Sequence, residues 1–516
     1  MTGLSVLIAL LPVILILVLL IGRKTAADTA GLAGWVAAAA AAGLYFRTPL
    51  SIILKSSLGG VLASLPITIM VGTSIYQITV MLETGAISRV VALIKTLAPR
   101  DKIIQIMIIN VGFGTLLAAM GATPVSILPP IMLGLGYSSF VAIALPALGY
   151  DALCTYALLG VPVVVFANFV GLPVEQVGGY FARFMPVITS CIALGMLWIA
   201  GGLKTLLKGV FPAVLAGVTA GMIAIGMNQA RMVTLTGVAA GLGVVLVMFL
   251  YLLIARKPIR DRSVLTDADR ASEQRMSLGR AVSPWIILTV FAVLINTPSL
   301  PFFRLVFDRW AMPVEIIPGA PEKLRLLWQA YFWILVSTLL ALPFLKPSRE
   351  QLSACGRKWL KRAPRPMLAS AVFFAIAYII NHSGKGPDWS LAEPGHNMVY
   401  VLAAASAQAF DRLYPAVASF LGLLGGFLSG SETSAIAMLT KLHLSTAEKI
   451  GAAGVVIAAA SGIGGGLASV ISPAKLQNAA ASIDCIGEEG RVLRTTFVIS
   501  LFITAVCAAM SLLWAF

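Results

Sequence analysis

The sequence predicts an all-α polytopic membrane protein, with roughly 12–14 transmembrane helices in two inverted repeats that carry re-entrant hairpins or broken helices. Three observations predict it. Of 516 residues, 59% are apolar and only 11% charged, whereas an ordinary soluble domain carries about 25% charged residues. Apolar runs of helical length recur from Leu4 to Trp514. Small-polar breaks interrupt these runs at two similarly spaced pairs of places. A soluble enzyme, a disordered chain and a secreted disulfide scaffold are excluded on the first two observations alone.

The net charge is +16, from 37 Lys+Arg against 21 Asp+Glu. In a soluble protein that excess points to nucleic acid. Here the basic residues cluster between apolar runs, which points to loops held on the cytoplasmic side and to no nucleic-acid partner. Residues 255–281 hold Arg256, Lys257, Arg260, Arg262, Arg270, Arg275 and Arg280. Residues 346–366 hold Lys346, Arg349, Arg357, Lys358, Lys361, Arg362 and Arg365. Both segments are expected in the cytoplasm. Apolar runs near 284–296 and 327–344 supply the two crossings between them. The stretch with Pro298, Pro301, Pro313, Pro318 and Pro321 then falls outside, as does 382–396 after a span at about 367–380.

The first apolar run, 4–22, has no basic start, and Arg23-Lys24 follows it. It reads as an uncleaved span with its N-terminus outside. The expected division is a first transmembrane half over 1–254, a basic cytoplasmic loop over 255–283 and a second half over 284–516. The five cysteines, Cys154, Cys191, Cys355, Cys485 and Cys507, form no CxxC pair and read as small core residues.

Four segments depart from plain Leu/Ile/Val/Ala text. In the first half, breaks at 112–126 and 149–162 hold Gly112-Phe113-Gly114-Thr115, Gly121-Ala122-Thr123-Pro124-Val125-Ser126, Gly149-Tyr150-Asp151 and Gly160-Val161-Pro162. In the second, breaks at 425–434 and 462–475 hold Gly425-Gly426, Gly430-Ser431-Glu432-Thr433-Ser434, Gly462-Ile463-Gly464-Gly465-Gly466 and Ser472-Pro473. Gly121 and Pro162 lie 41 residues apart, Gly430 and Pro473 lie 43 apart, and the two pairs are offset by 309 and 311. Glycine alone would serve close helix packing. The Thr, Ser, Glu and Pro at these places point instead to interrupted helices lining a polar cavity near the bilayer midplane, the plan of a secondary transporter built of two related halves.

These segments resemble the lactate permease family, whose members carry lactate and glycolate into bacteria with protons. Gly430-Ser431-Glu432-Thr433-Ser434 resembles the family's Gly-Ser-Asp-Thr-Ser, with Glu for Asp. Val470-Ile471-Ser472-Pro473-Ala474-Lys475, with Ala479-Ala480-Ala481 and Gly487-Glu488-Glu489-Gly490 after it, is similar to its Ile-Ser-Pro-Gln segment and Gly-Lys-Glu turn. Gly121-Ala122-Thr123-Pro124-Val125 and Gly160-Val161-Pro162 are similar to its Gly-Phe-Gly-Thr-Pro-Val and Gly-Ile-Pro. The resemblance implies a divergent member in the bacterial inner membrane. It departs from the family at Leu116-Leu117-Ala118-Ala119, where the family has an acid, at Asp151, where it has a neutral residue, and at Lys475, where it has glutamine.

Charged groups inside spans are functional candidates, because each costs a few kcal/mol at the bilayer centre. Glu432 is the foremost proton-coupling candidate and Asp151 the second. Their structural alternatives are a carboxylate capping a hairpin helix and an N-cap at a helix start. Lys475 is expected to pair with a substrate carboxylate or with Glu432, against the alternative of snorkelling to the interface. Ser431, Thr433, Ser434, Ser472 and Gln477, with Ser469 and Asn478, offer hydrogen bonds from the second half; Thr123, Ser126 and Thr155 are their counterparts in the first. His443, near Lys441 and Lys449, reads as part of a solvated turn, and His382 and His396 as bland residues of an outer loop.

The histidines and cysteines form no metal-binding pattern, and no phosphate-binding glycine loop opens a helix, so neither metal nor cofactor is expected. The expected partners are a small carboxylate, protons or alternatively sodium, and membrane lipid, with a homodimer left open. A membrane-embedded transferase would need paired acids for a metal-bound diphosphate. Asp267-Ala268-Asp269 is the nearest such pair, and it sits in the basic loop, where it reads as solvated. A channel would need no coupling acid.

Overall fold

The computed structural model describes residues 3–19, 23, 25–97, 101–296, 300–319, 321–485 and 488–516. Lys24, Pro298 and Gly487, named above, and the end of the first apolar run lie outside the described residues. The described chain is helical almost throughout. Its one sheet is a two-stranded antiparallel ribbon, β1 (Met312–Val314) and β2 (Glu322–Leu324), in the segment read as external.

The first half opens with α1 (Gly3–Leu17), α2 (Ala27–Tyr45) and α3 (Leu50–Glu83), then the short amphipathic α4 (Ala86–Lys95). A hairpin follows, α5 (Lys102–Ala119) and α6 (Pro124–Gly134). The pair α7 (Ser139–Asp151) and α8 (Ala157–Val170) bends by 65° at its break. Next come α9 (Val174–Gln229) and α10 (Thr236–Ile254). The basic loop contains α11 (Asp267–Arg275). The second half contains α12 (Ser283–Asn296), α13 (Ala330–Leu345), α14 (Arg349–Arg362), α15 (Pro364–His382) and α16 (Met398–Phe410). It closes with a hairpin, α17 (Tyr414–Ser429) and α18 (Glu432–Ile450), a broken pair, α19 (Gly454–Leu467) and α20 (Pro473–Ala481), and a final helix, α21 (Glu489–Trp514).

Nine of the described helices are long and apolar enough to cross a membrane, or up to ten with the bent pair, fewer than the roughly 12–14 expected. Two physical reasons account for the difference. Four apolar helices, α1, α6, α12 and α13, have only 10–17 residues. And α9, 56 residues long, breaks at Gly201–Gly202, where Gly202 has φ +64°, into two membrane-length arms that count as one helix.

The segments read as cytoplasmic converge on one end of the molecule. Lys95 pairs with Asp269 at 2.9 Å, Arg89 with Glu273 at 3.4 Å, Lys257 with Asp101 at 2.6 Å, and Arg365 with Asp28 at 2.9 Å; Lys358 pairs with Glu83. The reading of Asp267-Ala268-Asp269 as solvated needs correction at Asp269. That residue is buried at the N-terminus of α11, where it forms a capping box with Thr266 and holds Lys95. The neighbouring lysine and the unpaired helix amides both favour a carboxylate there.

Close packing explains many of the glycines. On α17, a Cβ at Gly422 or Gly426 would fall on the backbone of Ser461 or Gly465 in α19, and one at Gly464 would fall on the Ser419 carbonyl. The arms of α9 approach equally closely where Gly217 and Gly221 meet Ser190 and Pro186. Small residues four apart let membrane helices meet backbone to backbone. Gly112 makes room for a side chain instead. Met107–Phe113 forms a π-helical stretch within α5, and its Gly112 faces Val245 of α10.

Gly426→Val should therefore lower thermal stability in detergent by about 1–3 kcal/mol, because the methyls must push α19 away. Gly226→Ala, at a position with open space around the missing Cβ, should leave the melting temperature almost unchanged. Equal melting of the two variants would disprove the backbone-contact account.

Candidate functional site

The breaks of the two halves meet. In the first half, α5 ends at Gly121, which takes the left-handed φ of +83°. In the second, α17 ends at Gly430 with φ +67°. Each glycine terminates a helix and allows the chain to reverse. Beyond the first hairpin, α7 stops at Asp151, a turn of 3₁₀ helix covers Cys154–Tyr156, and Leu158, Leu159 and Gly160 form a left-handed turn before the regular part of α8 resumes at Val161-Pro162. Beyond the second, α19 stops at Leu467, 3₁₀ helix covers Ala468–Ile471, and Pro473 opens α20.

Glu432 sits at the contact. It is the first residue of α18 and is 3% exposed. Its Oε1 accepts a hydrogen bond of 2.7 Å from the Thr155 hydroxyl, across 277 residues of chain. Its Oε2 is buried without a hydrogen-bond partner at normal range, and the Cys154 thiol also interacts with the carboxylate. A Cβ at Gly466 would lie 2.7 Å from that oxygen, so the glycine in α19 makes the room it occupies. Glu432 is not the cap of its helix; Ser431 caps α18 by accepting from the Ser434 amide.

Asp151 faces the other break. Its Oδ2 accepts the Val470 amide at 3.2 Å, and its buried Oδ1 is unpartnered. The reading of Asp151 as an N-cap is corrected. It ends α7 instead, because the apolar residues after it do not start a helix until Ala157. Its carboxylate meets a backbone donor freed by the break in the opposite half. Lys475 donates to Ser469 Oγ at 2.6 Å and lies 4.1 Å from the centroid of the Tyr150 ring. Among the described residues no ion pair joins Lys475 to an acid.

Freed carbonyls are met by neighbouring helices. Thr189 donates to Ala152 O, Thr496 to Val470 O and Ser500 to Leu467 O, at 2.8, 3.2 and 2.8 Å. Unpaired backbone at this depth is tolerated only when it is satisfied in this way or lines a cavity.

Of the residues expected at the site, Thr155, Glu432, Asp151, Lys475 and Ser472 gather here. Ser472 is buried, and its Oγ lies 3.6 Å from where a Cβ of Gly430 would stand. Ser431, Thr433 and Ser434 flank Glu432 on the first turn of α18. Ser126 bonds the amide of Asn478 at 3.0 Å, joining α6 to α20 away from the buried centre. Thr123 and Gln477 are exposed.

Three features escaped the sequence reading. Cys154, taken as a core residue, stands in the first break, 4.0 Å from Ser469 Oγ. Tyr150 gives Lys475 a ring face. His443 is not in a solvated turn: it is fully buried within α18, between Tyr414 Oη at 2.8 Å and Ser461 Oγ at 2.7 Å. Helical spacing was the available signal, because His443 shares its stripe with buried Ile436, Thr440 and Ala447 while Lys441 and Glu448 face the other way.

Comparison with known proteins agrees with this architecture. The family model for L-lactate permease matches residues 5–516. The chain is 26% identical to the L-lactate permease of Salmonella typhimurium over 99% of its own length and 96% of the relative. It is 27% identical to the L-lactate permease of Escherichia coli, with the same coverage. It is 24% identical to the glycolate permease GlcA of Escherichia coli, over 100% of this chain and 96% of that one. Matched from end to end and divergent in sequence, this multi-pass inner-membrane chain belongs to the L-lactate permease family.

Proposed function

We propose that the chain imports a small 2-hydroxy monocarboxylate, lactate or glycolate, together with a proton. The observation that carries this reading is the Glu432 carboxylate, buried where the two breaks meet, with one oxygen bound to Thr155 and the other unpartnered. An ionised carboxylate with an uncompensated oxygen is expensive in such a place; a proton on Oε2 removes the charge. Asp151, held by the Val470 amide, sets the field beside it. Lys475, which forms no ion pair but acts electrostatically on Asp151 and Glu432, supplies a positive charge for the substrate carboxylate. Ser472 and Thr433 supply hydroxyls that can read the substrate's own hydroxyl. The names of the relatives, lactate and glycolate permeases, support the same substrate class.

The two halves are further proposed to be an inverted repeat that pairs Gly121 with Gly430 and Pro162 with Pro473. Both glycines end a hairpin helix at positive φ, and both prolines follow a break.

Glu432→Gln keeps the shape of the side chain and removes its titratable group. It should fold normally, lose proton-driven uptake by roughly an order of magnitude or more, and retain more of its counterflow exchange, which needs no net proton movement. Uptake equal to the parent across a pH series would remove Glu432 from coupling and shift the role to Asp151. Uptake driven by a sodium gradient alone, and not by a proton gradient alone, would reassign the coupling ion.

Substrate competition checks the cargo. Uptake of labelled lactate should be blocked by glycolate and 2-hydroxybutyrate, and much less by propionate, succinate or citrate. A site built to bond a hydroxyl rejects the analogue that lacks it, and one unpaired lysine beside two acids suits a single negative charge. Stronger competition by succinate than by glycolate would overturn the single-charge argument.

A further inference from the structure

A cavity of about 570 Å³ lies at the end of the molecule read as external. Its walls include α8 at Asn168 and Phe169 and α18 at Lys441, both helices that run outward from the central site. Lys441 stands nine residues beyond Glu432 on α18, about 14 Å along the helix. The opposite wall is the end of α15 and the residues after it, with His382 and Lys385. The cavity thus shares α8 and α18 with the central site and lies toward their outer ends.

Three basic side chains share this space. Lys385 and Lys441 act on one another electrostatically, and both act on His382. Among the described residues no ion pair joins either lysine to an acid. The cavity's acids, Glu322 and Glu448, form no ion pair with either lysine among the described residues; Glu322 accepts from Tyr378 Oη at 2.6 Å, on the same α15 wall as His382. The nearby Lys449 is turned away, 3.6 Å from the Tyr400 ring centroid. His382 stacks edge-on against Trp389, and its buried Nδ1 has no hydrogen-bond partner. Two ammonium groups in one cavity that make no ion pair repel each other, and a bound anion relieves that repulsion. The asparagines of the wall, Asn168, Asn381 and Asn397, give a polar lining without further charge.

We propose that this outer cavity is a capture site for small carboxylate anions, which bind between the Lys385 and Lys441 ammonium groups before passing inward to Glu432. The inference rests on the reading of the chain as an anion importer. It assigns selection for charge to the outer cavity and selection for the hydroxyl to the central breaks. Acetate and lactate should therefore occupy the outer site about equally well, although only lactate is carried efficiently.

Protection from labelling tests this on the unmodified protein. Intact cells are treated with a membrane-impermeant, amine-reactive reagent, and modification of Lys385 and Lys441 is measured by mass spectrometry. Lactate and acetate should each reduce modification of both lysines by roughly twofold or more at concentrations near their dissociation constants, and neutral lactamide should not. Equal labelling with and without the carboxylates overturns the proposal, as does a failure of either lysine to react from outside. Kinetics of the Lys385→Gln/Lys441→Gln double variant give a second reading. Its KM for uptake should rise roughly threefold to tenfold with Vmax within twofold, a change in capture and not in turnover. Lys385→Arg/Lys441→Arg should restore the parental KM. An unchanged KM in the double glutamine variant overturns the proposal. Lysines protected in a chain that carries no lactate would sink the transport reading and leave the capture site standing. Lactate uptake that depends on Glu432, with unprotected lysines, would do the reverse.

Discussion

The hydrogen bond from Thr155 to Glu432 ties together two helix breaks that lie 277 residues apart in the chain. Much of the centre follows from the need to make that meeting tolerable without water. A helix that stops inside a membrane frees amides and carbonyls, and each costs several kcal/mol if left unmatched. Here the opposite half and the neighbouring helices match them. Val470 N–H reaches Asp151, and the carbonyls of Ala152, Leu467 and Val470 receive hydroxyls from Thr189, Ser500 and Thr496. The acids are part of this accounting: Asp151 serves a freed amide as well as carrying charge.

Glycine packing is the second condition. The breaks can meet only if the helices that carry them come close, and the approaches of α17 to α19 and of the two arms of α9 leave no room for a Cβ. In the bilayer no hydrophobic force draws helices together, so close contact between backbones and small residues supplies the attraction. The same device reaches the site itself. Gly466 leaves the space in which Glu432 Oε2 lies, so the packing of α19 and the position of the carboxylate are one constraint.

How much of this was legible in the sequence follows from what each signal measures. Composition and apolar run length report burial in lipid, and they identified the fold class and the basic segments that gather at one end. The spaced Gly/Ser/Thr/Pro breaks report interrupted helices, and they led to Glu432, Asp151, Thr155, Lys475 and Ser472. Span counting fared worse, because α1, α6, α12 and α13 are apolar but too short, and because α9 carries two arms under one hydrophobic pattern. His443 is buried beside charged sequence neighbours because its helical stripe, and not its neighbours, sets which way it faces. The partners of Cys154 and Tyr150 were not legible, because they come from residues more than 300 positions away.

In the proposed mechanism Asp151 and Glu432 divide the site's labour in a way that residue type alone does not reveal. Both are acids, both are buried, and each has one bonded and one unpartnered oxygen. Their partners differ. Asp151 accepts from a backbone amide whose own position is fixed by the 3₁₀ turn Ala468–Ile471, so its donor is tied to the shape of the break. Glu432 accepts from a hydroxyl, which rotates about its own bond and can donate elsewhere. A change of protonation at Glu432 therefore asks only a threonine rotor and the glycine-lined space at Gly466 to respond. The same change at Asp151 would weaken its hold on the Val470 amide, a donor that cannot turn elsewhere. That difference in what must move is the physical ground on which the proposed mechanism gives the exchanging proton to Glu432 and the fixed field to Asp151.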